Sequence, residues 1–514
     1  MTRIDRKWLV VLAVIPATTL YSLDMTVVNV ALPYIQGAMA ASSTEITWVI
    51  SGYLLSGIIL MPLVGFCSSV FGRKRFFIAS VFLFVASSFL CGLSWNLDSI
   101  VTFRVLQGFG GGALIPLAQA ILSESFPEEE QGTAMAIFSV AVVLGPAVGP
   151  LLGGWIVTNY SWKWIFFINV PIGVINLVLL SMFLEDPPFI QKFKGSVDWL
   201  GIASLTVGLS AMEYVLTEGE QLDWFGSNVI VYGTIIAAAA IVLFVLRELL
   251  SKHPAVPLRM LKDINLSANS VLSMVFEVGM LGSLYLLPML LQDLLGYSAY
   301  DTGLAIMSRG VAMAVVMPLA GRLFNKLGPK LMVSAGFIIT MLSTYRLGMI
   351  NLDISFWNLF WPQFWQGVGF SLIIVPATVS SFLTIETRFK TDASGIYNLL
   401  KQVAASVTSA VLATMMDNNV QFDHLVLGKK ISAYNTPSLM YLERSAAVMH
   451  APHAYPPTRH ALAFIDAMVN KQAYILASNH VFLIMVLIFL VSMPFIALIK
   501  GIKDVHNSPN GKSA

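Results

Sequence analysis

The chain has 514 residues, of which 57% are hydrophobic and 11% charged, where an ordinary soluble domain carries about 25% charged residues. That composition excludes a water-soluble globular protein and points to a chain built for a lipid bilayer. The balance of 30 Lys and Arg against 28 Asp and Glu, with no basic stripe away from membrane-flanking positions, excludes a nucleic-acid partner, and two cysteines in apolar runs, Cys67 and Cys91, give neither a disulfide framework nor a Cys-based metal site.

Apolar runs of about 20 residues, the length that crosses a bilayer, predict an all-α polytopic protein with fourteen transmembrane helices. They fall near 8–32, 47–69, 76–94, 99–121, 133–157, 164–184, 199–217, 228–247, 265–291, 302–320, 331–350, 356–381, 392–416 and 478–500. The start, MTRIDRKWLVVLAVIPATTL, stays apolar past Asp24 and reads as an uncleaved first helix rather than a signal peptide. Twenty of the thirty Lys and Arg residues lie in the loops on the N-terminal side, whereas the short loops opposite carry only Lys163. The positive-inside rule then places both termini in the cytoplasm.

In the first helix, LYSLDMTVVNVALP sets Asp24 in an oily run, where an Asp costs about 2.5 to 3.5 kcal/mol at the centre of a span. After the second helix comes GFCSSVFGRKR, with Gly65 and Gly72 seven apart and Arg73 and Lys74 following. The fourth helix carries Arg104, with Gln107, Gly108 and Gly111 on the same face. Arg104 and Asp24 differ in depth by roughly 6 Å at 1.5 Å per residue, a gap that an arginine spans, so the two are expected to face each other across the central cavity and to part when Asp24 takes up a proton. A permanent pair fixing helices 1 and 4 is the structural alternative.

In the fifth helix, Gly145, Gly149 and Gly153 form one stripe of small residues with Ala141, Gly154 lies beside it, and Pro146 and Pro150 remove backbone donors. Further along, Glu213 lies toward the outer end of helix 7, where it can snorkel to the interface. Glu277 is near the middle of helix 9 and Arg309 a third of the way into helix 10, and these consecutive antiparallel helices make a Glu277–Arg309 pair plausible. Arg346 and Lys401 are further charges inside helices 11 and 13. The outer loop 417–477 holds His424, His450, His453 and His460 without a metal-binding spacing, and 461–477 is apolar enough for a short interfacial helix.

Two echoes run through the chain. Gly65 to Arg75 is repeated as GRLFNKLGPK, Gly321 to Lys330, and RVLQGFGGGALIP, Arg104 to Pro116, as QFWQGVGFSLIIVP, Gln363 to Pro376. Two related halves around a midplane cavity are the usual plan of a secondary transporter. No GxxxxGK[ST] loop and no hydrolytic constellation is present, which argues against ATP-driven transport within this chain and against an enzyme.

LDMTVVNVALP, the Gly-Arg-Lys loop, Arg104 with its QG, GPAVGPLLGG, WIFFINVPIG and GEQLDW stand in the order found in the major facilitator superfamily. Within it the chain resembles the fourteen-helix drug:proton antiporters of the EmrB type. The resemblance implies an N-terminal six-helix half (1–184), a linker with two inserted helices (185–263) and a C-terminal half (264–514). It implies a proton-coupled multidrug efflux antiporter of the bacterial inner membrane that exports amphipathic toxic compounds, needs no cofactor beyond the proton gradient, and works with a periplasmic membrane-fusion adaptor and a TolC-type outer-membrane channel. A dedicated exporter of one metabolite, siderophore or fatty acid is the alternative on the same scaffold.

On that reading Asp24, Arg104, Glu277 and Glu213 are the candidates for proton coupling. Tyr21, Gln107, Tyr285, Arg309, Trp361, Phe364, Trp365, Tyr397 and Lys401 are the candidates for the substrate cavity, where aromatic surface adapts to unlike molecules. The helix 5 glycines and prolines form the antiporter motif, and Gly65, Gly72, Arg73 and Lys74 the cytoplasmic gate. There the chain departs from the family pattern, with Ser69 and Val70 in place of an acidic and a basic residue, so Arg73 and Lys74 could serve only to anchor the helix end at lipid headgroups.

Overall fold

A computed structural model describes residues 6–186, 197–251, 254–429, 431, 440 and 459–501. Among them, thirteen helices are long and apolar enough to cross a membrane: α1 (Arg6–Met39), α2 (Trp48–Phe71), α3 (Arg73–Gly92), α4 (Leu97–Ser125), α5 (Glu128–Asn159), α6 (Trp164–Phe183), α7 (Trp199–Glu218), α8 (Asn228–Leu250), α9 (Ile264–Gln292), α10 (Asp301–Leu327), α12 (Phe356–Leu383), α13 (Thr387–Gly428) and α14 (Ala463–Leu498). Between α10 and α12 runs α11 (Pro329–Leu347), at the eleventh predicted place. Lys330 and Arg346 at its two ends lower its mean hydropathy, yet it packs along α12 and against the helix that forms α14.

The contacts sort the helices into two bundles. In the first, α1 packs on α5 and α6, and α4 on α2 and α3; in the second, α12 packs on α10, α11 and α9, and α13 on α9 and the α14 helix. The bundles meet where α5 lies along α10, and α7 and α8 form a pair of which α7 touches both α2 and α13. The inserted pair therefore flanks the seam between the halves.

The echoed glycines show how the repeat works. Gly72 and Gly328 end α2 and α10 with φ of 86° and 74°, a left-handed turn that favours glycine and starts the next helix within one residue. Seven residues earlier, Gly65 abuts Asp392 of the other half, and Gly321 abuts Gly132. A side chain at Gly65 or Gly321 would collide there, so both positions hold one bundle close to the other.

The stripe on α5 does what small residues on one face permit. Side chains at Gly145, Gly149 and Gly153 would run into Ser22, Thr26 and Val27 of α1, whereas Gly154 faces nearly open space. Thr26 Oγ1 donates to the Gly145 carbonyl at 2.9 Å, and Ser22 Oγ donates to the carbonyl of Val142, which has no helical donor because Pro146, four residues on, lacks an N–H. The Gln131–Asn159 segment continues as one helix through Pro146 and Pro150.

The long outer loop is shorter than predicted. One helix reaches Gly428, and the next begins at Arg459 and runs unbroken to Ser492. Residues 461–477 are thus the first part of the α14 helix and not a separate interfacial helix, because their apolar pattern continues without a breaker into the span. At 1.5 Å per residue, the helix through α13 is far longer than a hydrocarbon core of about 30 Å and extends beyond it. His424 Nε2 lies 2.9 Å from Asp466 Oδ1 and ties the two extensions together. His450 and His453 lie outside the described residues, as does the side chain of His460.

Candidate substrate cavity and buried charge pairs

A cavity of about 700 Å³ lies between the halves. Its walls come from α1, α2, α4, α5, α7, α9, α10, α12 and α13, and most of its lining is apolar, with Met25, Met61, Met280 and Met317 among it. Methionine fills irregular space with a flexible, polarizable side chain and suits a wall that must accept unlike molecules.

The end of the cavity nearest the N-terminus is sealed by bonds between the halves. Arg73, 3% exposed, pairs with Glu124 and donates from NH2 to Thr391 Oγ1 of the other half at 2.8 Å. Lys390 Nζ donates to the Ser123 carbonyl at 3.2 Å, Ser394 Oγ to the Pro116 carbonyl at 2.6 Å, and Asn398 Nδ2 to Gln119 Oε1 at 2.6 Å. Arg73 is therefore a latch across the seam and not a lipid anchor. Lys74 does sit at the outside of the bundle, where its Nζ donates to the Ser181 carbonyl at 2.7 Å and its backbone N–H to Asp186. Toward the other end the lining runs through Asn29, Thr47, Glu220 and Tyr285, so the cavity faces away from the terminal side.

Asp24 and Arg104 do pair, Arg104 NH1 donating to Asp24 Oδ2 at 2.6 Å. They meet inside the N-terminal half and do not face each other across the cavity, because α1 packs on both α4 and α6. Asp24 Oδ1 also accepts from Gln107 Nε2 at 2.9 Å and from Asn169 Nδ2 at 2.8 Å. The guanidinium is held in turn: its Nε donates to the Val49 carbonyl at 2.9 Å, NH1 also donates to Gln107 Oε1 at 2.8 Å, and its plane lies 4.1 Å from the centre of the Tyr53 ring. Tyr53 and Tyr21 have ring centres 5.8 Å apart, and Tyr21 lines the cavity. Two aromatic rings thus separate the charge pair from the open space. Asn169 is a member that the sequence reading missed, although it lies in the quoted WIFFINVPIG; an amide inside so apolar a helix was the signal.

A second pair lies in the cavity wall itself. Lys401 Nζ is 3.0 Å from Glu277 Oε1, and both side chains keep some exposure, 19% and 16%. This corrects the expected Glu277–Arg309 pair: α9 turns Glu277 toward α13, while Arg309 points away from the cavity toward α12. Arg309 is 3% exposed and NH1 is 3.5 Å from Gln366 Oε1. Glu213 does not snorkel. It is 5% exposed and lines the cavity with Glu220, because α7 lies against the seam. Glu220 follows the end of α7, and burial, with the charge of Asp417 beside it, holds its carboxyl above the usual range.

Of the other cavity candidates, Tyr21, Tyr285, Tyr397 and Lys401 line it; Gln107 belongs to the Asp24 cluster. Trp361 and Trp365, 51% and 50% exposed, stand four apart on the outer face of α12, and Phe364 meets each of them edge-on. All three lie off the cavity, since the opposite face of α12, with Gln363, Gln366 and Phe370, is the one turned inward. Among the described residues no cluster could hold a metal ion.

Two bundles around a mostly apolar cavity closed at one end define a membrane transporter, and residues 14–409 match the model of the Major Facilitator Superfamily, to which this chain belongs. Within it the chain is similar over nearly its whole length to EmrB-type exporters. It is 34% identical over 478 residues to the fatty acid resistance protein FarB of Neisseria gonorrhoeae, covering 93% of each chain. It is 32% and 31% identical to the multidrug export protein EmrB of Haemophilus influenzae and of Escherichia coli K12, covering 92% of each chain in both cases. Among solved structures, the human organic anion transporter MFSD10 aligns with a TM-score of 0.59 over 94% of this chain and 99% of its own. The proton:xylose symporter XylE aligns with 0.61 over 94% of both. At 14% and 16% identity these two share the fold. The protein is a multi-pass membrane efflux transporter of this superfamily.

Proposed function

We propose that this transporter exports amphipathic small molecules across a bacterial inner membrane in exchange for protons, with both termini in the cytoplasm. The observation that carries the reading is the juxtaposition of a large, mostly apolar cavity with a carboxylate, Asp24, closed off one aromatic layer behind it. The lever is electrostatic. A proton on Asp24 removes the charge that compensates Arg104, and a buried cation without its counter-ion costs several kcal/mol. The bundle is then driven to a different arrangement of α1, α2, α4 and α6, which share that cluster. In this state the cavity faces the periplasm and the Arg73 latch is shut; breaking the latch and closing the outer walls gives the opposite state. No cofactor enters the scheme.

The names of the relatives support export of small toxic compounds, and that of FarB keeps a fatty-acid exporter as the second reading, in which a carboxylate displaces Glu277 from Lys401. The helical extensions of α13 and α14, with Phe422 and Leu425 exposed on one of them, are the surface we assign to a periplasmic adaptor leading to a TolC-type outer-membrane channel. The test is reconstitution of the purified protein in liposomes with an acidic interior and a trapped pH dye. Addition of an amphipathic substrate is expected to release protons in a saturable way. Substrate movement that is indifferent to the pH gradient would remove the antiport reading.

A further inference from the structure

We propose that α7, one of the two inserted helices, builds a carboxylate subsite in the cavity wall that selects organic cations, with Glu213 as its deep group and Glu220 at its rim. The proposal rests on the reading of this cavity as the export site and adds the charge of its substrate.

The placement of α7 at the seam, against both α2 and α13, makes it part of the cavity and not a spacer. Glu213, Leu216, Thr217 and Glu220 all line the wall; the spacing of the first three puts them on one stripe of α7, and Glu220 stands in the turn that follows the helix. Glu213 is 95% buried by accessible surface, with 5% exposed. One of its carboxylate oxygens takes a hydrogen bond from Ser406. The other, Oε2, has no hydrogen-bonding partner among the described residues. A buried acceptor in that condition carries an unmet cost, and a ligand of positive charge is what relieves it.

The remaining charges on the wall point the same way. Three carboxylates, Glu213, Glu220 and Glu277, face the cavity with one ammonium, Lys401. Glu277 already holds Lys401 at 3.0 Å, which leaves the two carboxylates of the α7 segment in excess. Arg104 and Arg309 lie outside the lining. Phe276 and Tyr285 add aromatic rings to the lining, which attract a delocalised cation, and the apolar walls accept its hydrocarbon periphery. Among the described lining residues a substrate anion meets no cation but Lys401, which Glu277 already holds.

Two probes of nearly equal size and shape and opposite charge, tetraphenylphosphonium and tetraphenylborate, separate charge from fit. Binding of each to the purified full-length protein in detergent, followed by calorimetry, is expected to favour the cation by at least tenfold. Glu213→Gln should weaken the cation about tenfold while leaving the anion unchanged or tighter, Glu220→Gln should weaken it about threefold, and Glu213→Asp should restore part of the loss. Retained tetraphenylborate binding in Glu213→Gln certifies that the variant is folded. Equal binding of the two ions by the unaltered protein, or a Glu213→Gln variant that binds the cation as before, overturns the subsite. If anions are exported instead, the export reading stands and the cation subsite falls; if no amphiphile of either charge is bound or moved, the export reading falls as well.

Discussion

The Asp24–Arg104 and Glu277–Lys401 ion pairs of this transporter differ in what surrounds them. Asp24 and Arg104 are sealed, with side chains 0% and 1% exposed; the carboxylate also accepts from Gln107 and Asn169, and the guanidinium also donates to Gln107 and the Val49 carbonyl. Glu277 and Lys401 stand in the cavity wall, each still partly exposed. The first pair belongs to the N-terminal half and holds four of its helices in one arrangement. The second belongs to the C-terminal half and meets whatever enters. On the proposed reading the first charge pair serves as a lever and the second as a contact, and their difference in enclosure is what separates the two roles.

The sharpest way to break this comparison is to remove the cation of each pair in turn. Arg104→Leu leaves Asp24 buried without its partner and is expected to cost about 3 to 5 kcal/mol, seen as a large fall in unfolding temperature in detergent. Lys401→Met leaves Glu277 beside a cavity that solvent and ligands enter, and should cost about 1 kcal/mol or less. Equal losses in the two variants would erase the distinction between lever and contact.

Next in size is Asn169→Ala, which removes one of three donors from a buried carboxylate. A hydrogen bond to a charged group is worth about 1.5 to 3 kcal/mol, and the same unfolding measurement should show that loss. Gly149→Val pushes α1 away from α5 by forcing a side chain into Thr26. Overpacking of this kind costs about 1 to 3 kcal/mol, whereas Gly154→Val, on the open side, should leave stability unchanged. The smallest effect belongs to Trp361→Ala and Trp365→Ala. Both rings face outward, so binding of an amphipathic cation should stay within about twofold; a tenfold loss would put α12's outer face back among the substrate contacts.

Much of this arrangement was legible from the residues, and what was not has a physical reason. Asp24 announced itself by its cost, and Arg104 by its depth and its smooth flank, because both signals are properties of a single helix. The α5 stripe was legible for the same reason. Errors arose wherever the answer depended on a neighbour. Glu277 and Arg309 are on consecutive helices, yet the rotation of each about its own axis turns one toward α13 and the other toward α12. The aromatic run of α12 has a clear helical face, but periodicity does not say whether that face meets lipid or substrate. Arg73 stood among the gate candidates with a lipid anchor as the alternative, and the choice was not legible because Ser69 and Val70 carry no charge while its partner Glu124 lies some fifty residues on at the end of α4. Glu213 looked like a snorkelling residue until the position of α7 at the seam placed it on the cavity wall.

The most direct test of the account is substrate-driven proton release from acid-loaded proteoliposomes, compared between the unaltered protein and Asp24→Asn, with tetraphenylphosphonium binding measured on the same preparations. The account predicts that the variant still binds the cation, because Asp24 lies behind the cavity wall, and releases no protons when substrate is added. Proton release at the level of the unaltered protein in Asp24→Asn would contradict it, and would move the coupling carboxylate into the cavity, to Glu277 or Glu213.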